Sequence, residues 1–324
     1  MNDVETALTR SLEGLDDTTW LREFVNIVDE HGAFQPLGKR HFAALVENGS
    51  TLLVTFESLP AIRTQGEPLG WHMVRDSGWS HLCLACDGDT WFRDPRVFGY
   101  FDRLVDDGFL EDFETVLFYG AGPCGYAAAA FSVTAPGARV LTISPQATLD
   151  PEHALWDNRF TEMRRVSFTD RYGFAPDMTE AADQAFVIYD PTETLDAMHA
   201  ALFRRKNTTA LKLRRMGDAI EGDLKAMQIL HRLIELAGTG RLNAASFARL
   251  ARTRRSHLPY LRRLLGAIEA AGRPTLVAAL CRNVVARMKA PRFARRLEML
   301  TSAEGAASGE THPDKDATEP ARVG

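Results

Sequence analysis

Three closely spaced glycines could support chemistry in one loop of this chain. Gly120, Gly122 and Gly125 follow an apolar run in the segment FYGAGPCGYAA, which continues into an alanine-rich stretch. A glycine-rich turn between a buried strand and a helix exposes backbone N–H groups that can receive a pyrophosphate. The same strand–turn–helix arrangement can instead hold a nucleophile on a sharp turn. The spacing therefore predicts one of these two chemistries, or a turn that only allows close packing.

The dinucleotide interpretation would make the three glycines the cofactor site of an oxidoreductase. Such sites usually carry Asp or Glu at the end of the next strand, about 20 residues on, to hold the ribose hydroxyls. Here the run 139–143 leads into Ser144 and Pro145, with no acidic residue. At least two predicted strands also precede the motif, although it normally belongs to the first strand–helix unit. We keep this interpretation as an alternative and expect no cofactor.

The segment 118–128 resembles the Y-G-x-S-M-G-G-Y-A-A turn of an α/β-hydrolase-like family. The matching positions are Tyr119, Gly120, Gly125, Tyr126, Ala127 and Ala128. The resemblance implies that the family's serine nucleophile falls on Gly122 and the small residue after it on Cys124. Relatives are sometimes labelled phosphoadenosine phosphosulfate reductases, but this sequence has neither an S-x-G-x-D-S loop nor a Cys-Gly-x-His segment near its C-terminus.

Cys124 is a second candidate nucleophile. A thiol at a helix N-terminus has a lowered pKa and can attack a carbonyl, which would make the chain an atypical hydrolase or acyltransferase. Moving the motif onto Cys124, however, places Tyr126 where the tight turn requires a small residue. The geometry therefore argues against a cysteine nucleophile.

The acid of a Ser-His-Asp triad is sought after a late strand. Asp190 is the candidate, because the resemblance implies that the acid follows the run 185–189. Asp190, Pro191 and Glu193 also form the pattern of a helix capping box, which we favour over catalysis. His199 lies three residues after Asp196 on a predicted helix, and we expect a surface pair rather than a catalytic role.

The base is expected after the last strand, and Asp218 stands where the family carries histidine. No histidine lies between His199 and His231, and His231 falls within a predicted helix over 223–236. The nucleophile and the base of the ordinary mechanism are therefore both expected to be missing.

A pocket beside the glycine-rich turn is expected even without these groups. We predict that it is lined by Phe56, Gly122, Cys124, Asp190 and Asp218. Phe56 closes the first predicted strand, where such folds build an oxyanion hole from backbone N–H groups, and such a hole could still bind an anion. Cys83 and Cys86 form a C-x-x-C inside an apolar run, so we expect buried core cysteines and no metal.

Six apolar runs rich in β-branched residues must position these groups. They predict a mostly parallel sheet with flanking helices, and the resemblance implies that this sheet belongs to an α/β-hydrolase-like fold. The runs are 51–56, 81–86, 115–119, 139–143, 185–189 and 209–213. The predicted organisation is an N-terminal helical segment (1–40), an α/β-hydrolase-like domain (41–240), a C-terminal basic helical extension (241–300) and a disordered tail (301–324).

The charge of the chain is divided unevenly. The net charge of −5 combines −14 over residues 1–240, +12 over 241–300 and −3 over 301–324. The 13 arginines of the second region recur at helical spacing, which predicts amphipathic helices with an arginine face. We expect these helices to dock on the acidic domain, on a second copy in a homo-oligomer, or on another protein. An anionic ligand or membrane surface is the next candidate partner, and nucleic acid is unlikely because no recognised motif accompanies the arginines.

The composition excludes several classes of protein. With 45% hydrophobic and 25% charged residues and no apolar run long enough for a membrane span, the chain is predicted to be globular and cytoplasmic. Four scattered cysteines fit a reducing compartment. The sequence thus predicts an α/β-hydrolase-like protein without Ser nucleophile or His base, acting as a non-catalytic or atypical binding or scaffold member.

Overall fold

The computed structural model describes residues 3–10 and 12–309. Their centre is one eight-stranded sheet. Its strands are β1 (Gly32–Pro36), β2 (His41–Val46), β3 (Thr51–Ser58), β4 (Ser80–Cys86), β5 (Thr115–Ala121), β6 (Arg139–Ile143), β7 (Gln184–Tyr189) and β8 (Thr208–Lys212). The order across the sheet is β1-β2-β4-β3-β5-β6-β7-β8.

Two strands of the sheet run against the others. β1 pairs antiparallel with β2 and β2 with β4, whereas the six strands from β3 to β8 pair in parallel. These six correspond to the six predicted runs. Their carboxyl ends meet at one edge of the sheet, where open α/β folds bind ligands. The predicted fold class of a mostly parallel sheet with flanking helices is confirmed.

The sequence did not predict β1 and β2. β1 includes Gly32 and Pro36, two residue types that are rare inside strands, so its sequence indicates a turn. β2, HFAALV, is a short apolar run that fits a buried helix equally well. The predicted helical segment over 1–40 is therefore wrong at its end, because residues 32–36 form the edge strand.

Fifteen helices are present within the described residues. They are α1 (Asp3–Ala7), α2 (Asp17–His31), α3 (Leu59–Gln65), α4 (Trp71–Ser77), α5 (Pro95–Asp106), α6 (Pro123–Phe131), α7 (Pro151–Ala154), α8 (Ala175–Met178), α9 (Thr194–Leu202), α10 (Ile220–Ala226), α11 (Leu230–Gly238), α12 (Ala244–Ala251), α13 (Leu258–Ala270), α14 (Pro274–Arg287) and α15 (Pro291–Gly309). The predicted helix over 223–236 is in fact two helices, because Gln228 adopts a φ of 57° between α10 and α11.

Each face of the sheet has its own apolar core. One core includes the alanines of α6, which let that helix pack closely on β3, β5 and β6. Aromatic rings fill the space beside it: the rings of Phe101 and Phe131 stack with centroids 4.4 Å apart. The opposite core joins α2, α3 and α4 to β2 and β4, with Trp20, Phe24 and Trp71 at its centre.

The chain divides into two compact units, Met1–Thr253 and Arg254–Gly324. The division falls after the predicted boundary at residue 240, because α12 packs on β8. In the second unit, α13, α14 and α15 surround an apolar cluster that includes Leu265, Val277 and Phe293. Arg296 donates to Glu269 at 2.6 Å within this unit.

The prediction of a disordered tail from residue 301 is wrong for residues 301–309, which continue α15. Alanine is the strongest helix former, and this stretch is rich in it. The rest of the predicted tail, 310–324, lies outside the described residues. Across the part of the chain that the structure describes, no helix is long and apolar enough to cross a bilayer.

Candidate functional site

The glycine-rich segment forms a sharp turn between β5 and α6. Gly122 lies at its apex with φ 55° and ψ −124°, outside the regions that L-residues normally adopt. Its N–H donates to the Ile143 carbonyl at 2.8 Å, and its carbonyl accepts from the Tyr126 N–H at 3.0 Å. We call this turn (residues 120–125) the elbow, because a strand–turn–helix segment of this kind can hold a nucleophile at its apex. Gly122 has no side chain to react.

The other two glycines of the motif serve close packing. A Cβ at Gly120 would lie 2.2 Å from the Cys124 carbonyl oxygen, and a Cβ at Gly125 would lie 3.3 Å from the Cβ of Pro145. At Gly122, by contrast, a Cβ would have no described atom within 4 Å apart from its chain neighbours. The turn therefore requires glycine at position 120 for its shape, while position 122 has room for a side chain.

Asp190 is buried at the end of β7, as expected for a triad acid, but backbone and side-chain donors of nearby loops occupy its carboxylate. Oδ1 accepts from the Thr192 N–H at 2.8 Å and from the Thr192 hydroxyl at 2.7 Å, and Oδ2 accepts from the Gly217 N–H at 2.9 Å. Burial raises the pKa of Asp190, and these donors outweigh it and lower the pKa overall. Asp190 therefore fastens the loop after β7 to the loop after β8.

The favoured capping box at Asp190 is wrong. Helix α9 begins at Thr194 with Glu193 as its N-terminal flanking residue, and the Asp190 carboxylate binds a turn that precedes it. Asp218, at the position of the expected base, is exposed. His231 lies in α11, where its ring stacks on that of His72 with centroids 3.8 Å apart.

The predicted surface pair of His199 with Asp196 is also wrong. The His199 side chain is fully buried, and its Nε2 lies 2.9 Å from Oδ2 of Asp157. Its Nδ1 accepts from the Ala147 N–H at 3.1 Å. Asp196 instead pairs with Arg159 at 2.7 Å. Burial would raise the pKa of Asp157, but hydrogen bonds from His199 and Arg159 hold it well below the usual range.

A cavity of about 230 Å³ lies beside the elbow. Its lining comes from β3, α3, the end of β4 and the loop that follows, the elbow, and α10. The residues are Phe56, Glu57, Ser58, Ala61, Gln65, Cys86, Gly88, Asp89, Thr90, Trp91, Phe92, Ala121, Pro123, Cys124, Glu221 and Lys225. Of the predicted pocket, Phe56 and Cys124 line this space, and Gly122 lies between two lining residues. Asp190 and Asp218 are not among the residues that line it.

Glu57 brings a buried carboxylate to this cavity. Its Oε1 accepts from the Thr55 hydroxyl at 2.6 Å and its Oε2 from the Leu69 N–H at 3.0 Å. The Cys83 thiol donates to Oε1 at 3.7 Å, and His81 Nε2 lies 2.8 Å from the Thr55 hydroxyl. Burial raises the pKa of Glu57, and burial lowers the pKa of His81 to about 3. The network thus holds a carboxylate where hydrolases build their oxyanion hole.

Glu57, His81 and Cys83 also have the chemistry of metal ligands. Their potential ligand atoms lie within 4.8 Å of one another. Each of the three takes part in the hydrogen-bond network, but Nδ1 of His81 is a buried atom without a hydrogen-bond partner among the described residues.

A second carboxylate reaches the cavity from α10. The Tyr119 hydroxyl donates to Oε1 of Glu221 at 2.8 Å, and the Lys225 ammonium lies 3.3 Å from the same oxygen. Burial and the negative charge of Glu221 raise the pKa of Tyr119. Three carboxylates, those of Glu57, Asp89 and Glu221, therefore line the cavity with one ammonium group.

An oxyanion hole at this turn would lack one of its two N–H donors, and the sequence already shows why. In an elbow, the N–H of the residue after the nucleophile is one of the two donors. That residue is Pro123, which has no N–H. The same proline removes a donor that a pyrophosphate would need at this helix terminus.

Two thiols line the cavity together. Cys86 lies at the end of β4 and Cys124 in the first turn of α6, and each shifts the pKa of the other. The hydrogen bond from Cys124, another from Thr90 and the charge of Arg40 lower the pKa of Cys86. The pKa of Cys124 is raised by its hydrogen bond to Cys86, by burial and by nearby carboxylates. Cys83 faces the other core, so the C-x-x-C does not form a pair.

The sequence matches no protein-family model and no curated protein. Solved structures similar to this chain include Est1E from Butyrivibrio proteoclasticus, with 14% identity over 63% of this chain and 97% of that one, at a TM-score of 0.38. An α/β serine hydrolase homologue from Coxiella burnetii has 12% identity over 62% and 95% of the two chains, at a TM-score of 0.39. The esterase domain of a Rhodothermus marinus protein has 15% identity over 56% and 85%, at a TM-score of 0.34.

Proposed function

We propose that this chain is an α/β-hydrolase-like protein that does not hydrolyse, and that its cavity binds a small ligand instead. The observation that carries the proposal is position 122. The backbone there keeps the strained conformation of an elbow nucleophile, and the residue has no side chain. A backbone conformation that usually serves catalysis, at a residue without a reacting group, supports a site that has lost its catalytic activity.

Three further positions support the loss of hydrolysis. The exposed Asp218 occupies the position of the base, the Asp190 carboxylate is bound by Thr192 and Gly217, and Pro123 removes an oxyanion donor. A Cys124 nucleophile is disfavoured because its pKa is raised and its thiol partner is Cys86 rather than a base. The reductase label of some relatives adds nothing, since the sequence lacks the phosphate loop of that chemistry.

The lining of the cavity favours a ligand that donates hydrogen bonds over an anion. Glu57 and Glu221 present carboxylates, and Lys225 is already paired with Glu221. Phe56, Trp91 and Phe92 supply an apolar wall. The volume of about 230 Å³ lies below the roughly 300–1,000 Å³ of pockets for drug-sized ligands. The cavity therefore suits a ligand of a few heavy atoms, such as an organic ammonium ion.

The loss of hydrolysis is tested on the purified full chain with p-nitrophenyl acetate and a fluorophosphonate probe. The wild type should release nitrophenol no faster than Cys124→Ala and should not be labelled. Cys281→Ala, in the second unit, is the matched control for thiol effects. Turnover that Cys124→Ala abolishes and Cys281→Ala preserves would overturn the proposal in favour of an atypical cysteine hydrolase.

Ligand binding is tested with ethylammonium chloride and sodium acetate at equal ionic strength. Ethylammonium should raise the Tm of the wild type, acetate should not, and the rise should be lost in Glu57→Gln. Glu235→Gln, on α11 and outside the lining of the cavity, is the control. A rise with acetate alone would contradict the expected ligand class.

The docking of the arginine-rich helices on a second copy or another protein stays a prediction. Salt screens attraction between exposed charges, so an assembly held by these arginines should weaken as the ionic strength rises. The molecular mass of the full chain, measured in solution at low and at high salt, checks this expectation.

A further inference from the structure

We propose that Cys86 and Cys124 are an oxidisable thiol pair that closes into a disulfide across the cavity when the protein meets a hydroperoxide. The C-x-x-C of the sequence holds a different combination, Cys83 with Cys86, which we expected to be buried core cysteines. Alternate residues of a strand face opposite sides of the sheet, and three positions along β4 therefore put these two thiols in different cores. Folding brings Cys86 to Cys124 instead.

Three features of the pair suit oxidation. The two thiols are close enough to shift each other's pKa, and both pack in the same apolar core. Both line the cavity, which gives a small oxidant a route to them. All four cysteines of the chain are free thiols in this structure, so the pair is present in its reduced form.

A polar chain leads away from Cys86 and can take up its proton. The Thr90 hydroxyl helps to lower the pKa of Cys86 and lies 2.9 Å from Nε2 of His41. Nδ1 of His41 lies 3.8 Å from Asp94. A hydroxyl between a thiol and an imidazole favours the thiolate, which is the form that attacks peroxides. Cys124 has no comparable polar chain among its described contacts and serves as the resolving thiol.

The loop that holds this chain is strained. Trp91 and Phe92 are both buried, and both adopt positive φ values, 48° and 54°. Bulky residues rarely do so, because a positive φ is sterically unfavourable for them. The strain fixes Thr90 between Cys86 and His41, because the Phe92 N–H donates to the Thr90 hydroxyl oxygen at 3.2 Å.

The reaction balances with hydrogen peroxide as the oxidant. The Cys86 thiolate attacks one peroxide oxygen, the O–O bond breaks, and the departing hydroxide becomes water by taking the proton that Cys86 had given to the polar chain. The Cys124 sulfur then attacks the sulfenic sulfur of Cys86, the S–S bond forms and the S–O bond breaks. The second hydroxide leaves with the Cys124 proton as water. The two thiols lose two electrons in total, and one peroxide gains them.

The test uses the full chain, treated with hydrogen peroxide, quenched, and titrated for free thiols after denaturation. The titre should fall from four thiols to two. Trypsin should release the fragment 76–93, which holds Cys83 and Cys86, linked to the fragment 104–139, which holds Cys124. Cys281→Ala should keep the link. Cys86→Ser and Cys124→Ser should each abolish the link. The fragment linked in the wild type identifies the pair even if a variant folds poorly.

Two results would overturn the inference. One is a wild-type chain that keeps four free thiols at a peroxide dose that oxidises a model dithiol. The other is a disulfide within the fragment 76–93, which would join Cys83 to Cys86. Neither result depends on whether the chain hydrolyses esters, so this inference and the proposed function fail separately.

Discussion

The two sides of the cavity differ in their backbone geometry and in the reactive side chains that they carry. On the elbow side, the backbone has the geometry of a catalytic turn, but Gly122 and Pro123 offer neither a nucleophile nor the usual N–H donor. On the side of the loop after β4, the backbone is strained in another way, and Cys86, Thr90 and His41 form a polar chain. Reactive side chains are thus concentrated away from the position where the fold usually holds them.

The difference teaches that shape and chemistry are maintained by separate forces. The elbow persists because its glycines and the alanines of α6 must pack on the sheet, whatever residue stands at position 122. Packing does not explain the polar chain at Cys86. Apolar side chains in an unstrained loop would give a more stable fold than buried hydroxyl and imidazole groups in a strained one. Shape alone is therefore a weak guide to activity here.

The largest expected effect tests whether packing maintains the elbow. Gly120→Ala should lower the free energy of unfolding by about 4 kcal/mol or more, because its Cβ would overlap the backbone of α6. Gly122→Ala should cost only about 1–2 kcal/mol, from backbone strain alone. Urea denaturation of both variants measures the difference. Equal costs would mean that position 120 is not the packing contact described above.

The second effect tests Asp190 as a structural rather than catalytic acid. Asp190→Ala should cost about 2–3 kcal/mol, because it leaves the donors of Thr192 and Gly217 without their acceptor, whereas the exposed Asp218→Ala should cost less than about 0.5 kcal/mol. The pKa of Asp190 is lowered by folding. Its contribution is therefore complete above the unfolded value of about 4 and is lost as the pH falls through the folded value.

Urea curves of wild type and Asp190→Ala at several pH values check both statements. The gap between the two proteins should be widest at neutral pH and should narrow below about pH 4. A gap that widens as the pH falls would contradict the assignment, since it would mean that folding raises the pKa of this carboxyl.

Much of the fold could be predicted from the sequence, and the reason is local. Six strands are buried on both faces of the sheet, and each is therefore an apolar run that can be recognised in the sequence. The glycine spacing likewise predicted a sharp turn at Gly122. β1 was missed because Gly32 and Pro36 have low strand propensity, and its place at the sheet edge depends on pairing with β2.

The residues that fill the cavity could not be predicted, because chain folding brings them together from distant segments. Glu57 and Glu221 lie on different elements and carry no local motif, and His199 finds its partner Asp157 in an irregular segment before it. Pro123 is the exception, since its missing N–H can be read directly from the sequence once the elbow is aligned. Long-range contacts are the part that pattern analysis misses.

The third effect concerns the polar chain at Cys86. His41→Asn should slow peroxide oxidation of the Cys86–Cys124 pair by about tenfold, because the hydroxyl of Thr90 loses its imidazole partner and the thiolate loses support. His72→Asn, on α4, is the control and should not change the rate. Loss of free thiol with time measures both. An unchanged rate in a folded His41→Asn chain would remove His41 from the mechanism and leave the thiol pair intact.

The smallest effect is a gain of slow reactivity at the elbow. The triple variant Gly122→Ser, Pro123→Ala and Asp218→His supplies a nucleophile where a side chain has room, returns the missing N–H, and places an imidazole beside Gly217, whose N–H binds Asp190. We expect slow fluorophosphonate labelling at position 122 in the triple variant and none in Gly122→Ser alone, measured by intact mass. A folded triple variant that stays unlabelled would contradict this expectation. It would show that the backbone shape of the elbow, even with the three groups restored, does not support nucleophilic attack.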